Sequence, residues 1–237
     1  MKPHIFLVVA LGMSACTSSN PDALAQHDPF EPTNRAVFNF DVQLDHTVAT
    51  PIAKVYRTVM PEPARDGIHN ALDNLNAPMV FVNDVLQGDG DKASTTFGRF
   101  VINSTIGVGG LIDVAAKMGM HGHANDFGIT LGQWGAQEGS YLVLPFVGPK
   151  PPRDLTGDII DIAFDPTTYM KWNNSTLYTM VRTGLGVLDG RAANIDAVES
   201  IERSSLDFYA TTRSLYRQNR AAQINGGKAP DQDLPNF

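Results

Sequence analysis

The stretch Thr33-Asn-Arg-Ala-Val-Phe-Asn-Phe-Asp-Val-Gln-Leu-Asp-His-Thr-Val48 carries a helical period. Thr33 is a capping residue type, and Val37, Phe40, Leu44 and Val48 then recur at spacings of 3, 4 and 4, the rhythm of one face of a helix. Phe38 breaks the simple stripe. With Val37 and Phe40 it spreads large apolar side chains over more than one side, with Asn39 and Asp41 between them. A core helix shows a single apolar face. A wider arc fits either a fully buried helix or one that meets the core on one side and lipid on the other.

The same rhythm continues outward. Ile68, Ala71, Leu72 and Leu75 repeat it, and Pro78 suits the first turn of a helix that carries Val82, Val85 and Leu86. Asp91 is placed to cap a helix with Ala93, Phe97 and Val101, and Asp154 one with Ile159, Ile162 and Ala163. Two longer helices are expected over 176–187 and 192–225, the second broken near Ser204-Ser205. Tyr141-Leu-Val-Leu144 is the best strand candidate, ended by Pro145. Pro51, Pro61, Pro63, Pro78 and the cluster Gly148-Pro-Lys-Pro-Pro152 should cut the chain into short helices. Short helices can be laid in a ring or disc, which a long bundle does not imitate. The expectation is a mainly α, single-domain protein.

Composition narrows the function. The chain has 237 residues, 43% hydrophobic and 18% charged, with a net charge of −7. Normal apolar content and modest charge argue against disorder throughout. An acidic balance disfavours nucleic acid as a partner. One cysteine excludes an internal disulfide and a cysteine-rich zinc site. No apolar run reaches the roughly 18 residues of a membrane-spanning helix.

The first residues read as an address. Met1-Lys-Pro-His4 is short and polar, Ile5 to Leu11 is apolar, and Gly12-Met-Ser-Ala-Cys16 follows. Charged, apolar and small in that order is the pattern of a secretory signal. The only cysteine directly after Ser14-Ala15 resembles a bacterial lipobox, with Met13 where leucine is usual. Cys16 is then the lipidated residue, and residues 1–15 are the signal peptide. More than one acyl chain on Cys16 gives stable membrane anchoring without a spanning helix. Thr17 in place of aspartate resembles an outer-membrane address. Loss of 1–15 removes only Lys2 among the charges, so an acidic body is held to an anionic leaflet by anchor and apolar surface and not by charge. Residues 16–27 read as a lipidated tether, 28–225 as a helical domain and 226–237 as a flexible tail.

Catalytic signatures are weak. Gly107-Val-Gly-Gly110 has Ile112 where a third glycine of a dinucleotide loop belongs, and no βαβ unit surrounds it; a tight turn between helices accounts for it. His121-Gly-His123 with Asp126 fits no strong metal signature. No G-x-S-x-G elbow is present, and no pair of carboxylates stands out. His46, beside Asp45, reads as a helix-end residue. No catalytic residue, metal or cofactor is assigned.

A series of ordered motifs resembles the MlaA (VacJ) lipoprotein family. It opens with Asp28-Pro-Phe-Glu-Pro-Thr-Asn-Arg35, Phe38-Asn-Phe40 and Leu44-Asp45. Ala64-Arg-Asp-Gly67, Asn74-Leu75, Val82-Asn83, Leu86-Gln-Gly88, Arg99-Phe100 and Asn103-Ser-Thr-Ile-Gly-Val-Gly-Gly110 follow. Asp113-Val-Ala115, Asp126-Phe-Gly128, Thr130-Leu-Gly132, Trp134-Gly135, Leu144-Pro145 and Arg153-Asp154 complete the central block. Arg191-Ala192, Asp207-Phe-Tyr209, Arg213, Tyr216 and Gln218 close it. The resemblance spans roughly residues 28–220. Phe208 stands where the family often has proline, and Asp41 where asparagine is usual.

The resemblance implies a non-enzymatic protein on the periplasmic side of the outer membrane that maintains lipid asymmetry. It implies a ring of amphipathic helices in the inner leaflet around a central channel. Phospholipid astray in the outer leaflet passes through and on to a periplasmic lipid carrier of the MlaC type, beside a trimeric porin of the OmpC/OmpF type. No bond is broken, so the lack of a nucleophile is in keeping. Asn34, Arg35, Phe38, Asn39 and Phe40 are expected near the leaflet or channel. Gly107, Gly109 and Gly110 are candidates for a flexible channel wall. Phe127, Leu131 and Trp134 are candidates for a porin-facing surface or a core role. Arg182, the only charge between Trp172 and Leu188, is a candidate for a phosphate head group or a snorkelling arginine. Two other functions remain open: a structural or assembly lipoprotein that binds porin without moving lipid, and an envelope hydrolase.

Overall fold

The computed structural model describes residues 18, 20–170 and 173–226. The expected signal peptide, Cys16 and the tail from residue 227 lie outside them. Among the described residues the chain is helical almost throughout. The order is α1 (Pro21–Ala25), α2 (Glu31–Leu44), a π-turn (Asp45–Ala49), α3 (Thr50–Val59), α4 (Glu62–Leu86), α5 (Gly90–Thr105), α6 (Val114–Lys117) and α7 (Phe127–Gln133). Then come β1 (Val143–Leu144), β2 (Gly148–Pro149), α8 (Pro152–Phe164), a 3₁₀ turn (Pro166–Tyr169), α9 (Ser175–Ala193), α10 (Ile195–Ser204) and α11 (Phe208–Ile224). The fold is mainly α, as the helical period implied.

Several boundaries differ from the sequence reading, each for a local reason. The first helix begins at Glu31, with Pro32 in its first turn, so Thr33 is inside it. Asp89 and not Asp91 caps α5 through Lys92 N–H. Pro151 precedes α8, and Asp154 lies in its first turn. The prolines interrupt less than expected. Pro51 sits in the first turn of α3, and the π-turn before it, with Thr50 N–H donating to Asp45 O, joins α2 to α3 without a break. Pro78 does not start a helix but lies inside the 25-residue α4. It leaves the Asn74 carbonyl without its usual donor, and α4 continues because α5 and α9 pack along it. The break after Ser204 is present, and a second falls at Asn194. The expected strand forms, paired antiparallel with Gly148–Pro149.

The interior is unusual in its chemistry. Apolar packing is confined to small clusters. One is Phe38, Tyr141, Val143 and Tyr209, with Phe38 edge-on to Phe208 and Tyr209 at 5.3 and 5.5 Å. The other is Ala53, Ala192 and Ile195. Many of the most buried side chains are polar: Asp28, Asn34, Asn83, Asp84, Thr130 and Asp154 are each 2% exposed or less. Large aliphatic groups face outward instead. Ile52, Val55 and Val59 line one side of α3, Leu177, Met180, Val181 and Val187 lie along α9, and Ile159 and Ile162 project from α8, all at least half exposed. A water-filled surround does not reward that arrangement, and exposed apolar faces of this extent mark an interaction surface. None of the helices among the described residues is long and apolar enough to cross a membrane.

Candidate functional site

A cavity of about 540 Å³ lies between α4, α5 and the segment 119–126. Helical spacing on α4 brings Asn70, Asp73, Asn74 and Ala77 to one face of it. Thr96, Arg99, Phe100 and Asn103 line it from α5, and His123, Asn125 and Asp126 from the loop ahead of α7.

Most of the charges around this cavity are matched. Arg99 donates to Asp113 Oδ2 at 2.8 Å and to the Met120 carbonyl at 2.5 Å. Asn103 donates to Asp113 Oδ1 at 2.9 Å, and its own Oδ1 accepts from Ala115 N–H. Burial alone would raise the Asp113 pKa, but Arg99, the Ala116 N–H and Asn103 hold it below the usual aspartate range. Asp84 is fully buried and accepts from Thr96 at 2.6 Å and Asn125 at 2.7 Å, with His123 Nε2 also at 2.7 Å. Its pKa too is depressed, as these bonds outweigh desolvation. Asp126 caps α7 through Ile129 N–H and takes two bonds of 2.7 Å from Arg220. His69 lies 2.9 Å from Asp189, and burial, which lowers its pKa, is outweighed by that bond and by the charges of Asp73, Asp189 and Asp66. His123 and Asp126 are therefore accounted for by buried pairing, and His121 points to the surface. No trio of metal-ligating side chains occurs among the described residues.

Asp73 is the exception. It makes no hydrogen bond, and its nearest cation is His69 Nε2 at 3.5 Å. Its carboxyl faces the lumen and keeps 62% of its surface accessible. Protein nonetheless surrounds it on the other sides, and desolvation raises its pKa against the pull of His69 and Arg99.

The Gly107–Gly110 turn packs against this wall. Gly110 has φ +93°, and a Cβ there would sit 2.6 Å from Asn74 Cβ, so only glycine fits. The turn joins two helices, as its sequence implied.

The other candidate residues fall elsewhere. Asn34 is a buried clamp: its Nδ2 donates to Asp28 and the Tyr141 carbonyl, and its Oδ1 accepts from Val143 N–H. Arg35 bridges Glu31 and Asp207 and stacks over Tyr209. Phe38 is core, whereas Asn39 and Phe40 are on the surface, Phe40 edge-on to the exposed Phe146 at the hairpin tip. None of these five lines the cavity. The apolar arc of α2 therefore does have two sides, one in the core and one open. Phe127 is buried between Phe164 and Trp134, Leu131 is half-buried, and Trp134 is exposed. Arg182 edges a second, apolar groove of about 490 Å³ between α4 and α9, and donates to Asp165, Thr167 and Asn76. Its charge is already met by Asp165.

Comparison with known proteins supplies the context. The model of the MlaA lipoprotein family matches residues 26–223. The chain belongs to the MlaA lipoprotein family. Relatives include the intermembrane phospholipid transport system lipoproteins MlaA of Shigella flexneri and Escherichia coli K12. Each is 35% identical over 238 residues, covering 96% of this chain and 92% of theirs. The MlaA of Haemophilus influenzae is 33% identical over 228 residues, covering 94% and 90%. A structure solved to give the structural basis for maintenance of bacterial outer membrane lipid asymmetry superimposes with a TM-score of 0.75 at 33% identity, covering 84% of this chain and 99% of that one. The residues that carry the family resemblance are in large part those of the interior network. Asp28, Asn83, Arg99, Asp113, Asp126, Asp154 and Tyr216 each hold a partner far along the chain or at a helix end. Sequence motifs identified them; nothing in their periodicity foretold that their role is pairing.

Proposed function

We propose that this chain is an outer-membrane lipoprotein of an intermembrane phospholipid transport system, which removes stray phospholipid from the outer leaflet and hands it to a periplasmic carrier. The observation that carries this reading is the polar cavity inside a molecule whose outer helices are apolar. A charged head group left in hydrocarbon costs several kcal/mol. A wall of asparagine, aspartate, histidine and arginine replaces water around it, while the tails stay against aliphatic faces such as those of α3 and α9. The step is physical and needs no catalytic residue, so the protein acts without chemistry. Direction comes from the affinity of the acceptor.

In this reading residues 1–15 direct export, acylated Cys16 anchors the body from the periplasmic side, 16–27 is the tether with its α1 turn packed on the body, 28–225 the lipid-handling domain and 226–237 a tail. The Gly107–Gly110 turn, against Asn74, serves as an adjustable part of the cavity wall. A trimeric porin of the OmpC/OmpF type is the membrane partner, with Trp134 as the exposed member of the Phe127, Leu131 and Trp134 group. An MlaC-type carrier receives the lipid.

The test is outer-leaflet phospholipid in cells lacking the gene, read as palmitate transferred to lipopolysaccharide. Accumulation on deletion, reversed by the wild-type gene but not by Cys16→Ala, is expected. An unchanged leaflet would instead favour an assembly lipoprotein that binds porin without moving lipid.

A further inference from the structure

Pairing off the charges around the cavity leaves a remainder. Arg99 is spent on Asp113 at 2.8 Å, His123 on Asp84 at 2.7 Å, Arg220 on Asp126 at 2.7 Å and His69 on Asp189 at 2.9 Å. Asp73 alone of the lining carboxyls has no hydrogen bond, and it is the one that faces open space. Beside it on the same wall, Asn74 is 8% exposed and its Oδ1 has no donor. The Asn74 Nδ2 is taken by Ser104 at 2.9 Å, and Gly110 closes the other side of the amide. The lumen therefore offers one open carboxyl that no hydrogen bond holds, with a buried, unpartnered amide oxygen beside it in the wall. Its wall is otherwise amides and apolar groups, with Ala77, Met79, Val80 and Phe100 beside Asn70 and Asn76.

We propose that the cavity selects phospholipids whose head group ends in an ammonium, with Asp73 as the specificity-determining contact and Asn74 as a second acceptor. This rests on the transport reading above and narrows its substrate class.

An ammonium has three N–H donors. It gives Asp73 a hydrogen-bonded cation, where His69 Nε2 stands 3.5 Å off and is shared with Asp189, and a donor for Asn74 Oδ1 once that amide turns toward the lumen. The imidazole of His69, 3.5 Å from Asp73, stands where the phosphate of the same zwitterion would follow. A glycerol head group brings no cation, and its phosphate meets the Asp73 carboxylate unopposed. Like charges brought together in a partly dry site repel. The apolar faces outside the cavity favour an amine borne on a lipid over a free one.

The test compares bound lipid with supplied lipid. The full-length lipoprotein is purified from membranes, exchanged against vesicles of equal phosphatidylethanolamine and phosphatidylglycerol, and its bound lipid is measured by mass spectrometry. Enrichment of the ethanolamine lipid is expected. In Asp73→Asn, which keeps the shape, the ratio should fall about fivefold, the order set by one partly solvated ion pair. Bound lipid in the ratio supplied, or no change in Asp73→Asn, overturns the head-group assignment and leaves the transport reading standing. No bound phospholipid at all overturns both. Free phosphoethanolamine that competes as well as the lipid overturns the lipid assignment. Should Asp73→Asn fail to fold, the wild-type enrichment alone decides.

Discussion

Arg220 holds Asp126 through two bonds of 2.7 Å and Asp154 through one of 3.0 Å, and is itself 9% exposed. Truncation at this position would strand Asp126 and leave Asp154 to Arg153 and Tyr216. A broken buried pair costs more than a missing one, because the remaining charge has no water to return to. Arg220→Ala should lower unfolding free energy by about 3–5 kcal/mol, measured by denaturant titration in micelles, and Arg220→Lys should recover part of it. The carboxylates also set the response to acid. Asp84, Asp113 and Asp154 lie below the ordinary aspartate range although burial pushes each of them up. His123, Thr96 and Asn125 prevail at the first, Arg99 at the second, and Arg153, Tyr216 and Arg220 at the third. A carboxyl whose folded pKa is depressed stabilises the fold above its unfolded value, and that stability is lost as pH falls through the folded one. Asp161, lifted by burial, acts in the opposite sense but is outnumbered. From pH 7 to about 5 the unfolding midpoint should hold or rise slightly, as His69, lowered by burial but lifted more by Asp189 and Asp73, takes up its proton, and below about 4 it should drop.

Helix contact depends on a few close approaches. The tightest joins α7 and α8, where a Cβ on Gly157 would sit 2.3 Å from the Gly128 nitrogen and 2.7 Å from its Cα. Backbone cannot step aside as a side chain can. Gly157→Ala should therefore force the two helices apart, costing about 3 kcal/mol and lowering Tm by about 10 °C. A thermal scan would show it, and an unchanged Tm would mean the helices are free to slide. Elements were also where sequence reading did best and worst. The periodic runs of α2, α4 and α5 were legible, as were the strand at Val143–Leu144 and the break at Ser204. Pro51 and Pro78 misled, since a proline costs one hydrogen bond and tertiary packing can outweigh it. Which side of a helix is inside was not legible at all. Phe40 and Val48 keep the period of a core stripe yet face outward, because period reports a face and not what that face meets. The cavity shared that fate: Asp73 stood in no motif, and its significance comes from the hydrogen bond it lacks.

At the scale of the molecule, burial is reversed. Paired carboxylates and amides fill the inside, and aliphatic side chains cover much of the outside. Such a surface should hold to a bilayer without an acyl chain. A Cys16→Ala protein is expected to float with vesicles, and the further double change Val55→Asp and Val59→Asp on α3 should release most of it while leaving helical content by circular dichroism unaltered. Both residues are over 60% exposed, so no core contact is lost. Flotation that survives the double change would place the bilayer against another face.

The same bare faces set a limit on solubility. A chain folded this way has no safe interval in water, since Phe146 and Val59 are about three-quarters open and meet their like on any neighbouring copy. Held in water without a cover for those faces, copies should associate with one another, so the protein's solubility falls with its own concentration.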